Sequence, residues 1–243
     1  MGNSVEPDAF GRAVYDHYRG EQAGPLWQCD GPDRREHPIE AFYFEPYDPK
    51  SHCGSWIDSQ LSGPLIDIGA GAGRDTLYFQ EQFETVAIDA SPALVQTMDD
   101  RGVEDARVGD MFGLRSEFDR DRFAAALVYG TQLGLAGSIA GIRSFLCDLA
   151  YVTEPGATAV VDGYDPTAIE SGDRLGYRRD PTPGLAHRVM WFEYDGEVDP
   201  VLQFRLFSPG RLREAAIGTG WELADVTRRE PGAAHYLAAL RLR

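Results

Sequence analysis

The densest chemistry in the chain lies in Leu65-Ile66-Asp67-Ile68-Gly69-Ala70-Gly71-Ala72-Gly73-Arg74-Asp75. Leu65, Ile66 and Ile68 read as a buried strand, the alternating glycines as a tight turn, and Arg74 to Gln82 as a helix. Strand, glycine turn and helix in that order form a backbone cradle for the polar tail of a nucleotide-like cofactor. Asp67 sits inside this cradle. Two more acids close later strands: Asp89 ends the apolar run Thr85-Val86-Ala87-Ile88, and Asp110 ends the brief strand Ala106-Arg107-Val108-Gly109. Parallel sheets bind ligands outside the carboxyl ends of their strands, so the three acids are expected along one edge. A carboxylate at the second strand end suits the two hydroxyls of a ribose. One after the third suits an exocyclic amine such as that of adenine.

The spacing discriminates among nucleotides. A dinucleotide fingerprint requires G-x-G-x-x-G; here the third glycine comes one residue early and position 74 is Arg. There is no Walker lysine, because Lys50 is the only lysine of the chain and lies outside the turn. A carboxylate beside the turn opposes a pyrophosphate and favours a cofactor that carries an ammonium group.

These residues need a scaffold, and the rest of the chain reads as one. Phe10, Val14 and Tyr18 recur on one face of a short helix after Pro7. Gly20 to Pro49 reads as irregular, with Trp27, Phe42, Tyr43, Phe44 and Tyr47 interleaved, too aromatic for a free tail. Packing against the core and a lid over a pocket both fit it. Ser55 to Leu61 is a short helix. Ser91-Pro92 opens another, with Ser91 as N-cap and Pro92 at the first helical position. Phe118 to Arg122 reads as a charged connection. Phe123 to Tyr129 is a continuous apolar strand of the kind buried on both faces of a parallel sheet. Ser138 caps a helix reaching Val152, ended by Pro155-Gly156, and Thr158 to Asp162 is the fifth strand. Strict alternation of strand and helix implies a doubly wound α/β sheet. Asp165 to Gly184 reads as a loop, followed by an antiparallel pair, His187–Tyr194 and Val201–Phe207, around Asp195-Gly196. After a capped helix from Ser208-Pro209, Trp221–Thr227 and Ala234–Leu242 are joined by a short loop and must run antiparallel. The expected organisation is a cap or lid over 1–62, a cofactor core over 63–163, an insertion covering the acceptor site over 164–207, and the last part of the core sheet over 208–243.

The bulk composition narrows the function classes. A net charge of -16, from 39 acidic and 23 basic residues of which all but Lys50 are arginine, is expected of a protein kept soluble in concentrated salt. It argues against a duplex nucleic-acid partner, which demands a basic face. Cys29, Cys53 and Cys147 form no CxxC, so neither a zinc site nor a disulfide framework is expected, and no metal is assigned. The N-terminus does not read as a signal peptide, and no apolar run approaches the ~20 residues that span a membrane. The expected location is cytoplasmic.

Asp67-Ile68-Gly69-Ala70-Gly71-Ala72-Gly73 resembles motif I of the class I S-adenosylmethionine-dependent methyltransferases. Asp89, Asp110 and the Phe123–Thr131 strand fall where that superfamily has its ribose acid, adenine acid and motif IV. The motifs cover about residues 64 to 131, and the order of elements is compatible with the family's Rossmann-like seven-stranded sheet with a final antiparallel strand. The resemblance implies S-adenosyl-L-methionine as cofactor. Gly69, Ala70, Gly71 and Gly73 would hold its methionine part, with Asp67 shaping the loop and meeting the amino group directly or through water. Asp89 and the adjoining Ala90 would meet the ribose, Asp110 and Met111 the adenine, and Tyr129 and Gly130 the methyl-donor end. Arg74 reads equally as a solvated helix arginine or a cofactor contact.

Several branches of that family do not fit. Val128-Tyr129-Gly130-Thr131 is not the Asn/Asp-Pro-Pro-Tyr/Phe of enzymes that methylate exocyclic amines, no Pro-Cys nucleophile occurs, and no double-glutamate loop is evident. A small-molecule acceptor is therefore expected, receiving the methyl group by in-line displacement. Alignment of two bound reactants can supply up to ~7–11 kcal/mol of such a barrier. A base is needed only for a nucleophile that must lose a proton. His17, Tyr18, Tyr129 and His187 are candidates, none singled out by spacing, so the catalytic group is left open. A non-catalytic cofactor-binding subunit, a nicotinamide oxidoreductase and an aminopropyl transferase of the same fold remain as rival readings. Oligomeric state is left open.

Overall fold

The computed structural model describes residues 7–169 and 174–243. The N-terminal part holds helix α1 (Ala9–Arg19), strands β1 (Trp27–Asp30) and β2 (Asp33–Glu36), a π-helical turn at Glu40–Phe44, and helix α2 (His52–Gln60). Then come β3 (Leu65–Ile68), α3 (Arg74–Phe79), β4 (Thr85–Asp89), α4 (Pro92–Arg101), β5 (Ala106–Val108), α5 (Leu114–Glu117) and β6 (Phe123–Val128). A 3-10 turn (Gln132–Ala136), α6 (Ile139–Val152), β7 (Thr153–Tyr164) and a second 3-10 turn (Pro166–Ala168) follow. Strands β8 (Tyr177–Arg179), β9 (Leu185–Tyr194), β10 (Glu197–Val198) and β11 (Leu202–Phe207) precede α7 (Pro209–Ala216), β12 (Trp221–Thr227) and β13 (His235–Leu242).

The main sheet has seven strands in the order β12-β13-β7-β6-β3-β4-β5. Strands β3 to β7 are parallel, and β13 runs antiparallel to both β7 and β12. This is the expected Rossmann-like sheet with an antiparallel final strand. Side chains alternate across it, as a strand period of two demands. Ile66, Ile68, Ala126, Val128 and Val161 meet Phe145, Leu146 and Leu149 of α6 and Leu212 of α7. Leu65, Ala125, Leu127 and Val160 meet Ile57 of α2 and Phe79 of α3. Both faces of the central strands are covered, so β3, β4 and β6 are mostly apolar, and burial of a side chain such as Phe79 contributes roughly 1.5–3 kcal/mol. The predicted caps form: Ser91 and Ser138 accept from the amides of Leu94 and Gly141.

A second sheet is larger than the expected inserted pair. Its centre is β9. On one edge β9 pairs with β10, through an Asp195-Gly196 turn with φ of 48° and 80°, and with β11. On the other edge it pairs with β8 and with β1, and β1 pairs with β2. The segment Gly20–Pro49 is therefore not irregular, because it contributes a hairpin. Strand β2 is Asp-Arg-Arg-Glu, wholly exposed, with no apolar alternation to reveal it. It is an edge strand guarded by charge, which discourages further pairing. Likewise β8 lies in the stretch expected to be a loop. The helix after the glycine turn ends at Phe79 rather than Gln82, and α5 forms within the stretch before Phe118. Pro155-Gly156 does not separate helix from strand: β7 starts at Thr153 and runs through both. The partner strand shifts register between Phe123 and Ala125, so a proline without an N–H is accommodated beside that irregularity.

Candidate functional site

The turn after β3 folds back on β4. The amides of Gly69 and Ala70 both donate to the carbonyl of Ile88, at 2.9 and 3.1 Å. Gly69, Gly71 and Gly73 take φ of 71°, 61° and 75°, a region that costs an L side chain roughly 1–2 kcal/mol. Their hydrogens are also in use as space. A Cβ on Gly71 would lie 3.3 Å from the Tyr43 ring, one on Gly69 2.5 Å from the Gln132 side chain, and one on Gly73 2.7 Å from Val103.

Two of the predicted acids flank this turn. Asp67 is buried, and its Oδ2 accepts from the Thr76 hydroxyl of α3 at 2.6 Å. Burial, reinforced by the charge of Asp75, pushes its carboxyl up to about 7 against the pull of the Thr76 hydroxyl. Asp89 ties the second strand end to the turn. Its Oδ2 accepts from the Gly71 amide and its Oδ1 from the Ser91 amide, both at 3.0 Å. Burial pushes it up to about 6, opposed by those amides. The Ala90 amide also favours the charged form, and a carboxylate with about four acceptor positions keeps capacity for a hydroxyl hydrogen. Ala90 bridges Asp89 and the Ser91 cap. Arg74 is not a solvated helix arginine. It forms a two-pronged pair with Asp75 at 2.8 and 3.0 Å, and its Nη1 donates to the Phe42 carbonyl.

Asp110 stands apart from that pair. It is exposed and accepts from the Phe112 amide at 2.8 Å, while its own amide donates to Glu117 of α5. Met111 beside it packs against the core. The geometry thus places Asp110 at the third strand end, in a turn of its own.

Tyr129 and Gly130 follow β6 directly. Burial, with Asp162 and Asp75 nearby, pushes the Tyr129 hydroxyl well above its ordinary range. The Arg74 guanidinium lies 5.6 Å from its ring centre. Gly130 has φ of 92° and Thr131, a β-branched residue, 65°. The strain at Thr131 is held by Asp162, whose Oδ1 accepts from the Thr131 amide at 2.6 Å. The other oxygen of Asp162 pairs with His235 Nε2 at 2.8 Å. Asp162 is 2% exposed, and a carboxylate so placed requires these partners. His235 is the first residue of β13, brought to the carboxyl edge because β13 runs against its neighbours. Its ring lies 6.3 Å from Tyr129 and 5.0 Å from Tyr164.

The N-terminal segment covers the glycine turn. Arg101 of α4 donates to the carbonyls of Tyr43 and Ala72, clamping the π-helical turn onto it. Tyr43 Oη meets His37 Nε2 at 3.1 Å, Gln28 Nε2 meets His37 Nδ1 at 2.8 Å, and Arg188 of β9 donates to Gln28 Oε1 at 2.8 Å. Burial, with Arg188 nearby, lowers His37 to about 4, so it stays neutral. Phe10 joins this layer, stacked on Phe192 at 4.7 Å.

Of the four candidate bases, only Tyr129 lies at the glycine-turn edge. His17 sits between Gln22 and Glu40, and Tyr18 donates to the Asp100 carbonyl where α1 docks on α4. His187 is held by Arg205 and Asp180. It alternates along β9 with the inward-facing Arg188, Met190 and Phe192, and so points to the opposite face of that sheet. The Asp162–His235 pair, Thr76, Gln132 and the Tyr43–His37–Gln28 chain were not picked out from the sequence. One signal was available: Thr158 to Asp162 is an apolar strand ending in an acid, like the other three. Among the described residues, no group of His, Cys, Asp and Glu is arranged to hold a metal ion, and no helix is long and apolar enough to cross a membrane.

No protein-family model matches this chain, and no curated protein sequence matches it. Solved structures do. A SAM-dependent methyltransferase from Bacteroides fragilis, in complex with S-adenosyl-L-homocysteine, superposes with a TM-score of 0.78 at 23% identity, covering 97% of this chain and 95% of that one. The CcbJ methyltransferase from Streptomyces caelestis reaches 0.60 at 15% identity over 78% of this chain and 93% of its own. An amino pentose methyltransferase from Micromonospora echinaspora, with SAM bound, reaches 0.54 at 18% identity over 72% and 82%. The chain has the fold of these proteins, and the first of them matches it across both sheets.

Proposed function

We propose that this protein is a methyltransferase that uses S-adenosyl-L-methionine and a small-molecule acceptor. The observation that carries the reading is the tie between the glycine turn and the second strand end, in which Asp89 accepts from Gly71 and Ser91 and keeps acceptor capacity for a ribose hydroxyl. The other residues fit the same ligand. The left-handed glycines put no side chain of their own into the cradle, and Gln132 and Tyr43 lie against Gly69 and Gly71. Asp67, poised near neutrality, ionises readily beside an ammonium group. Ala70, Gly73 and Ala90 complete the backbone wall, Asp110 and Met111 flank the adenine end, and Tyr129 and Gly130 border the donor end. When bound, the cofactor supplies a methyl group on a sulfonium. The chain's part is then to orient an acceptor along the Tyr129–Thr131 turn and exclude water from it. Where the acceptor carries a proton, His235 can take it at Nδ1, because Nε2–H is directed to Asp162. The covering layer made by Tyr43, His37 and Phe192 is the part assigned to acceptor selection and closure. We place the protein in the cytoplasm, with neither a nucleic acid nor a membrane as partner.

Calorimetry with S-adenosylmethionine and S-adenosylhomocysteine tests the assignment. Both are expected to bind wild type. Asp89→Ala is expected to weaken both by roughly 10- to 100-fold, since hydrogen bonds to a charged group contribute about 1.5–3 kcal/mol. Equal affinity in the two proteins removes Asp89 from the site, and no binding to wild type sinks the methyltransferase reading.

A further inference from the structure

Around the site Arg74 lies on Asp75 and Arg228 on Asp165, at 2.8 and 2.7 Å, and Arg101 is taken up by the Tyr43 and Ala72 carbonyls. Arg188 and Arg174 are different. Arg188 projects from the inner face of β9, beside Met190 and Phe192, which cover the site. Its Nε donates to the Leu175 carbonyl at 3.1 Å and one Nη2 hydrogen to Gln28. Nη1 has no hydrogen-bond partner, and the guanidinium no carboxylate, among the described residues. Arg174 lies over the Tyr164 ring at 3.3 Å, likewise without a carboxylate among the described residues. The two guanidiniums are close enough to oppose each other. Burial, then the charge of Arg174, lowers Arg188 to about 10.

Their position relative to the donor end is set by a row of rings. Tyr164 contacts His235 at 5.0 Å, and His235 contacts Tyr129 at 6.3 Å. Arg174 thus caps the far end of the row that begins at the donor turn. In a chain with a net charge of -16, two adjacent cations without a carboxylate among the described residues form a local inversion of the field, and a guanidinium fork matches a planar anion with two hydrogen bonds.

We propose that Arg188 and Arg174 form an anion subsite, so that the acceptor is a small molecule bearing a carboxylate or comparable oxyanion, held with its reactive end toward Tyr129 and His235. This deepens the methyltransferase reading and rests on it for the word acceptor; the anion preference itself does not. The test is calorimetry at physiological salt with benzoate, benzamide and inorganic phosphate as probes, with and without S-adenosylhomocysteine. Benzoate and benzamide share shape and differ in charge. Wild type is expected to bind benzoate or phosphate at least about tenfold more tightly than benzamide. Arg188→Met and Arg174→Met are each expected to lower that preference by about tenfold, with the thermal midpoint and S-adenosylhomocysteine affinity kept as fold controls. Arg174 contacts no part of the glycine turn, so it serves where Arg188→Met fails to fold. Equal binding of charged and neutral probes, no binding of any probe, or a preference that survives in both variants overturns the subsite. Failure of S-adenosylhomocysteine to bind while the preference holds overturns the methyltransferase reading alone.

Discussion

Replacing Asp67 by Asn removes one buried charge and leaves the shape of the turn nearly intact. The Thr76 hydroxyl can still donate to the Asn carbonyl, as it does to Asp67 Oδ2 at 2.6 Å. The stability consequence follows from the carboxyl being pushed from 3.8 to about 7 by burial and by Asp75. A carboxyl raised in the folded state takes up a proton on folding. Its contribution is fully present below the unfolded value and is lost as pH rises through the folded one. Wild type should therefore lose stability relative to Asp67→Asn between about pH 4 and pH 7, with a penalty of about 2 kcal/mol at pH 5 and about 4 kcal/mol at pH 8. Urea unfolding of both proteins at those two pH values, at one fixed salt concentration, reads the difference directly. The same substitution should weaken S-adenosylmethionine binding by at least tenfold, because the charge proposed to attract the ammonium is gone. A variant more stable at high pH and poorer at binding is the signature of a carboxylate kept for its ligand. A stability difference that does not change with pH, or that shrinks from pH 5 to pH 8, refutes the reasoning.

Other positions give independent outcomes. Gly71→Ala should cost roughly 1–2 kcal/mol, since φ is 61° and the new Cβ would press 3.3 Å from the Tyr43 ring; thermal unfolding checks it, and an unchanged midpoint would place the turn elsewhere. His235→Ala should lower stability by about 1–3 kcal/mol by leaving Asp162 buried with the Thr131 amide alone, and the Thr131 amide should lose hydrogen-exchange protection. The acidic, nearly lysine-free surface should make the thermal midpoint rise from dilute buffer to molar KCl, as screening relieves self-repulsion; a midpoint independent of salt would leave the composition without that explanation.

Much of the site was legible because its cause is local. A glycine at φ near 70° is required by the turn itself, and the acid two residues earlier is carried by the same strand, so Asp67 to Gly73 could be placed without knowing what packs around them. Asp89 was legible as an acid that stops an apolar strand, whereas Asp110, after an exposed strand, stands in a turn of its own. Ser91-Pro92 and Ser138 announced their helices through caps that act within four residues. The doubly wound sheet followed from alternation along the chain.

What the tertiary structure alone decided depends on contacts between distant segments. His235 meets Asp162 only because β13 enters antiparallel beside β7, placing its first residue at the edge where the parallel strands end. Tyr43 reaches Gly71 only because Arg101 draws the Glu40–Phe44 turn onto α4. Strand β2 is charged and without alternation, so its place in the sheet is specified through β1 and β9 and not by its own pattern. Arg188 and His187 are neighbours in sequence, yet the two-residue period of β9 turns one inward and the other to the opposite face, and which of them faces the site depends on where the second sheet docks. The proposed cofactor cradle is thus a local property of the chain, whereas the proposed acceptor side is assembled from the N-terminal segment, β7–β11 and β13, whose sidedness exists only once both sheets are in place.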